Sequence, residues 1–198
     1  MQCLQYQSVY PNLALAIKKV LLFKERDEEK RQAFLEEIKD IDADKIFWVD
    51  ESGINEDLVR QYGRAPRKEK IYGEISGKKF DRHSIVSALN KKKFVAPFGY
   101  KGTCDSVLFE TWIEKVLIPE LSPGDVVVLD NATFHKSEKT RKLIEGVECR
   151  LIFLPPYSPD LNPIEHLWDW MKNEVRNTAH MFKTLELAMM TAVNTKRD

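Results

Sequence analysis

Several features that would settle the class of this chain at once are missing. No apolar run reaches the ~18 residues that signal a membrane-crossing helix, so the reading is of a protein with no membrane partner. The N-terminus has no basic start leading through an apolar stretch to a small-residue cleavage site, so no secretory leader is read there. Cysteine is scarce: Cys3, Cys104 and Cys149 are widely spaced and odd in number, which fits neither a zinc knuckle nor a disulfide frame. Reduced thiols in a cytoplasmic protein are the natural expectation. Internal repeats and low-complexity tracts are absent as well. Nor does charge of one sign dominate: 31 lysines and arginines balance 31 aspartates and glutamates. A domain that is basic overall is thereby excluded. Any affinity for a polyanion has to come from local patches such as Lys78-Lys79, Lys91-Lys92-Lys93, or Lys136 with Lys139, Arg141 and Lys142. Taken alone, each such run reads equally as a solvated face.

What is present suits a soluble globular domain: 198 residues, 43% of them apolar, enough for one sizeable core. Residues 24–40 are highly charged, with Phe34, Leu35 and Ile38 at helical spacing, and predict an exposed helix with one apolar stripe. Ile46 to Val49 is a short apolar run ending at an acid, which predicts a buried strand. Residues 83–89 and 93–99 predict two strands joined by a tight lysine turn, the second placed near an edge or bent by Pro97. Residues 105–118 carry an amphipathic stripe with Asp105 as N-cap. Val126 to Leu129 is a fully apolar strand. Ser137 caps a helix over 138–145 that Gly146 stops, and Cys149 to Leu154 is another buried strand. Pro155, Pro156 and Pro159 stiffen the loop that follows. A helix then opens at Asn162-Pro163, with Ile164, Leu167, Trp168, Met171 and Val175 as its core stripe, and a last helix covers about 184–194. Early hairpin strands followed by β–α–β alternation predict a mixed sheet, part antiparallel and part parallel with right-handed crossovers, flanked by helices.

Three acids stand out against this frame. Asp50 ends the strand in KIFWVDESG, Asp130 ends the strand in VVVLDNATFH, and Glu165 opens a helix in LPPYSPDLNPIEHLW. Between Asp50 and Asp130 lie 79 residues (51 to 129), and between Asp130 and Glu165 lie 34 (131 to 164). Chemistry in such sheets sits at the carboxyl ends of the parallel strands. Three carboxylates gathered at one edge repel one another unless cations hold them. Hard oxygen ligands suit Mg²⁺ or Mn²⁺. Two such ions about 3.5–4 Å apart would support phosphodiester cleavage. Asp50 is the central, bridging ligand in this reading, and Asp130 and Glu165 complete the two sites. Singly, the aspartates also read as turn openers after strands, and Glu165 as a capping-box glutamate behind Asn162. Glu51 is set aside as a ligand because strand alternation turns it to the other side. Asn131 reads as turn chemistry or as a DNA contact, and His135 as a contact to phosphate or water or as a plain loop histidine. Tyr157 on the stiff loop reads as a base-stacking residue or as packing. Arg64, Arg67, Lys101 and Lys136 are the expected phosphate contacts.

The segments VDESGI, VVVLDNATFH and LIFLPPYSPDLNPIEHLWDWMK, together with YGRAPR at 62–67 and LSPGDVVVLDN, resemble the catalytic domain of mariner-type DDE transposases, specifically the bacterial insertion-sequence branch. The resemblance spans roughly residues 24–176. It implies a ribonuclease-H-like α/β fold with a mixed five-stranded sheet, and Mg²⁺-dependent DNA cleavage and strand transfer at transposon ends without a covalent enzyme intermediate. It implies Asp50, Asp130 and Glu165 as the catalytic acids, insertion at TA dinucleotides, a homodimer on DNA, and a cytoplasmic, nucleoid-associated protein of a bacterium. Members of the family also carry an N-terminal helix-turn-helix region. Residues 1–44 are accordingly expected to be a linker helix left from a truncated DNA-binding region, and residues 45–198 the catalytic domain. The alternative role is a truncated or repurposed DNA-binding regulator without activity.

Overall fold

The computed structural model describes residues 23–55, 70, 72 and 82–196. Arg64, Arg67, the rest of 62–67, Lys78-Lys79 and the first 22 residues lie outside the described residues. Five strands form one sheet: β1 (Ile46–Asn55), β2 (Arg82–Asn90), β3 (Lys93–Lys101), β4 (Val126–Leu129) and β5 (Arg150–Phe153), in the spatial order β3-β2-β1-β4-β5. The β1–β2 and β2–β3 pairs are antiparallel, and β1–β4 and β4–β5 are parallel. This is the expected mixed five-stranded sheet.

The long strand at the centre of the sheet presents its side chains alternately. Phe47 and Val49 face one layer with Val86, Ala88, Val127 and Leu129. Against them pack Phe109 and Trp112 of α2 (Ser106–Trp112), Ile113 and Leu117 of the π-helical turn that continues it, and Ile144 of α3 (Glu138–Glu145). The opposite face has two parts. Ile54, Ile85, Leu89 and Phe94 pack under Ile164, Trp168, Met171 and Val175 of α4 (Ile164–Thr178) and under Ala188, Met189, Ala192 and Val193 of α5 (Leu185–Asn194). Ile46, Val126, Val128 and Ile152 pack under Phe34 of α1 (Glu28–Ile38), and Trp48 touches both parts. Each large apolar side chain so buried contributes about 2–3 kcal/mol.

Local chemistry explains the boundaries. Asp27, Asp105, Ser137 and Thr184 cap α1, α2, α3 and α5 through bonds from backbone N–H groups. The lysine turn holds Lys91 at φ 50 and Lys92 at φ 66, the mirror-image geometry whose twist matches a two-residue hairpin. In β3, Val95 pairs with Ala88 and Phe98 with Val86, so Ala96 and Pro97 together oppose the single residue Ser87. This bulge places Ala96 at φ 53, where the Trp112 indole N–H donates to its carbonyl at 2.8 Å and the Ser87 hydroxyl donates to Val95 O at 2.8 Å. Pro97 is tolerated because β3 is an edge strand. Two expectations shift. The helix predicted over 105–118 is α-helical only to Trp112 and continues through a π-helical turn at Ile113–Leu117. Pro163, not Asn162, takes the N-cap position of α4, although Asn162 Oδ1 still accepts from Ile164 N–H at 3.4 Å.

α1 precedes residue 45, inside the segment expected to be a linker, yet Phe34 is 4% exposed against the sheet. Its Arg31 reaches Asp160 with two hydrogen bonds of 3.0 and 2.8 Å, tying α1 to the proline loop.

Candidate active site

Strand register brings the first two acids together. Ile46, Phe47 and Trp48 pair in parallel with Val126, Val127 and Val128. Carried two residues past the last pair, that register directs Asp50 and Asp130 to the same place, and both line one cavity. β4 stops at Leu129, whereas β1 continues to Asn55 along β2. Asp50 therefore lies inside a strand rather than at its end, a correction to the sequence reading. The end of β4 is what opens space beside it. Asp50 shares the face of Trp48 and Ile54, on which α4 packs, and the Trp168 indole N–H donates to Asp50 Oδ2 at 3.1 Å. Glu165 enters from the first turn of α4, anchored by the proline loop. Asn162 at that junction is 4% exposed and its amide approaches Val49 O at 3.5 Å.

Asp50, Asp130 and Glu165 all line one cavity of about 460 Å³, with Asn131, Pro155, Pro156, Tyr157 and Asn162 on its walls. Among the described residues, no three carboxylate, imidazole or thiol groups stand close enough to encircle a single ion. The three acids form one acidic wall of that cavity.

The electrostatics mark this wall. Burial pushes the Asp50 carboxyl up to about 7, and the nearby charges of Glu165, Glu51 and Asp130 add to the shift. Glu165 is raised as well, mainly by burial, with Lys172 partly offsetting it. Asp130 goes the other way. Burial would raise it, but the hydrogen bond and charge of His135 and the Ala132 N–H hold it below the ordinary value. A carboxyl group that resists ionisation beside two others is the electrostatic condition that a bound cation relieves.

The other candidate residues separate. Asn131 and Tyr157 stand at the cavity. Tyr157 is 55% exposed at φ 55, left-handed and therefore strained for a tyrosine, and its ring lies 5.9 Å from that of Phe23. Lys136 is exposed near Asp130 and sits 5.9 Å over the Phe153 ring. Lys101, at the end of β3, lines a different cavity with His83 and Lys183. His135 does not reach a phosphate from its position, a correction to one of its expected roles. Its side chain is 1% exposed, Nε2 is 2.9 Å from Glu51 Oε1, and Nδ1 bonds Asp130 Oδ1. Those two partners raise it to about 9 against a burial effect that would lower it. Glu51 and Trp168 are the residues that sequence reasoning passed over. Glu51 does point away from Asp50 across the sheet, and Trp168 was read only as part of a core stripe.

A mixed sheet with helices on both faces, and with acids from a central strand, the end of its neighbour and a helix start on one cavity, defines the ribonuclease-H-like class. The chain belongs to the DDE superfamily endonuclease family, whose pattern residues 45–187 match. Among known proteins it is similar to the Tc3 transposase of Caenorhabditis elegans, 30% identical over 148 residues that make up 70% of this chain and 44% of that protein. It is also similar to the uncharacterized protein y4pE/y4sA of Sinorhizobium fredii, 44% identical over 48 residues, 24% of this chain and 33% of that protein. The chain thus spans less than half the length of these relatives. Its fold matches Mos1 transposase in the paired-end complex with the left transposon end, with a TM-score of 0.66 at 11% identity, covering 99% of this chain and 67% of that one. It matches the Mos1 paired-end complex with Mn at a TM-score of 0.62 and 12% identity, again covering 99% and 67%. Among the described residues no helix is long and apolar enough to cross a membrane.

Proposed function

We propose that this chain is a transposase catalytic domain that cleaves DNA at transposon ends and joins them to a target, using divalent cations held by Asp50, Asp130 and Glu165. The observation that carries the proposal is the shared acidic cavity, with the Asp50 carboxyl pushed up to about 7. Family membership and the likeness to Mos1 solved with Mn support it. When bound, two Mg²⁺ or Mn²⁺ ions neutralise the charge of the phosphodiester and stabilise the departing oxygen. Asp50, which lines the cavity with both other acids, would be the shared ligand, and Asp130 and Glu165 would each complete one site. Trp168 holds Asp50 Oδ2, which fixes the direction of that carboxylate. Water attacks in cleavage and a DNA 3′-hydroxyl attacks in joining, and no protein side chain becomes covalently attached.

Asn131, Tyr157 and Lys136 surround the acids and would meet the DNA there, with Arg64, Arg67 and Lys101 as further phosphate contacts. A TA target and a homodimer formed on DNA follow the mariner resemblance and the paired-end arrangement named for Mos1. A bacterial insertion-sequence origin, and with it a cytoplasmic, nucleoid-associated site of action, follows the resemblance of the sequence motifs, and the matched Sinorhizobium protein is itself bacterial. Residues 45–198 would carry the chemistry, with α1 packed on their sheet through Phe34. The test is nicking of supercoiled DNA in Mn²⁺ and strand transfer from pre-cleaved ends. Asp50→Asn, Asp130→Asn and Glu165→Gln should each abolish both while the fold persists. Cleavage surviving in all three overturns the proposal, and DNA binding without any cleavage by the wild type favours the regulator role.

A further inference from the structure

The acidic wall has support from the other side of the sheet. We propose that Glu51 and His135 form a positioning pair that fixes the Asp130 carboxylate for cation binding, so that the site is built from both faces of β1. This rests on the function proposed above. Neighbouring residues of a strand point to opposite faces, so Asp50 lines the cavity while Glu51 turns into the layer of Phe109 and Trp112. There its carboxylate meets the His135 ring at 2.9 Å, and the other ring nitrogen bonds Asp130. The imidazole thus spans the sheet edge between an acid on one face and an acid serving the other.

The geometry is held tightly at His135 and loosely at Asp130. The His135 ring packs against both Phe109 and Phe134, each centroid 4.1 Å away. Glu51 is 17% exposed at its side chain, whereas Asp130 is 42% exposed and stands just past the end of β4. A carboxylate in that position is free to rotate unless something holds it. Two donors do so, and both act on the same oxygen: Ala132 N–H at 2.9 Å and His135 Nδ1 both bond Oδ1. Neither bond uses Oδ2, the oxygen this arrangement leaves to a cation. Ligand carboxylates and their partners are held in this way in metal sites generally, and losing such a partner weakens the metal by roughly 10- to 100-fold. Burying an imidazole between two carboxylates adds little net stability to a fold, which points to orientation as its use.

Mn²⁺ binding, read from the electron paramagnetic resonance signal of the free ion, tests the pair alongside the Mn²⁺ dependence of DNA nicking. Glu51→Ala should raise half-saturation by about 10-fold or more in both assays. Glu51→Gln, which keeps an acceptor at the same reach, should stay close to wild type. Melting curves establish that each variant is folded. A merely structural Glu51 would lower the melting temperature and leave the Mn²⁺ half-saturation unmoved, and that result overturns the inference. Should Glu51→Ala not fold, Glu51→Asp carries the comparison. One methylene short, it should lose affinity where Glu51→Gln does not, and equal affinities overturn the pairing. A wild type that neither binds Mn²⁺ nor nicks DNA defeats the proposed function, and the inference falls with it. A wild type that does both, with an indifferent Glu51, defeats the inference alone.

Discussion

Replacing Asp50 by asparagine should stabilise the metal-free protein while removing its activity. In the folded state the Asp50 carboxyl titrates at about 7 against an ordinary value of 3.8. Its folded-state pKa is raised, so the native chain holds a proton that the unfolded chain has already released. Stability then falls as pH rises from 3.8 to about 7 and is level above that. At ~1.4 kcal/mol per unit, a shift of about 3 units corresponds to roughly 4 kcal/mol by pH 8, an upper figure because bound water and local relaxation reduce it. Asparagine carries no charge to bury, and its side-chain oxygen can still accept from Trp168. The variant should therefore melt several degrees above wild type at pH 8 without divalent metal, since 1 kcal/mol moves a domain of this size by about 2–4 °C. At pH 5 the gain should shrink to roughly a third, because only about the first unit of the window has then been crossed. Calorimetry at the two pH values in EDTA gives the comparison. An Asp50→Asn protein that melts no higher than wild type at pH 8, or gains equally at both pH values, refutes the electrostatic account of the site.

Mn²⁺ at 100 times its dissociation constant should stabilise the wild type by about 2.7 kcal/mol. Thermal melts should show that rise, and Asp50→Asn should lose most of it. Trp112→Phe removes the indole N–H bonded to Ala96 O and leaves a void against the bulge. It should cost about 2–3 kcal/mol in urea unfolding with an unchanged m-value. Changing Lys91-Lys92 to Asn-Gly replaces two residues held at positive φ with the pair that prefers this turn. It should raise the urea midpoint by the equivalent of about 1 kcal/mol. A double-mutant cycle on Arg31 and Asp160 should give a coupling of about 1 kcal/mol at low salt that shrinks in 0.5 M NaCl, as expected of a two-bond pair at a surface.

Much of this was readable from the chain because strands and caps are local. The apolar runs ending at Asp50 and Asp130 placed both acids beside one another, and Asp105 and Ser137 capped the helices expected of them. Pro97 marked β3 as an edge strand before any pairing was visible. Pairing across the sheet, by contrast, has no local signature. β1 runs on past Asp50 to Asn55 because β2 supplies antiparallel partners that β4, ending at Leu129, does not. The π-helical turn at Ile113–Leu117 is likewise set by packing, since its residues keep an ordinary helical stripe. His135 looked like a loop residue because a short turn has no periodicity from which to read burial. Glu51 was set aside by a correct argument about direction that did not ask what waited on the far side.

Phe34 bears on where this protein can be cut. The family pattern begins at residue 45, and a gene fragment started there would discard the helix covering Ile46, Val126, Val128 and Ile152. Those side chains would meet solvent as a greasy seam along the sheet, inviting aggregation during expression. The proline loop would also lose its anchor on Arg31. A fragment intended to stay monomeric in the test tube should start no later than Asp27, whose carboxylate caps that helix by accepting from Lys30 N–H at 3.1 Å.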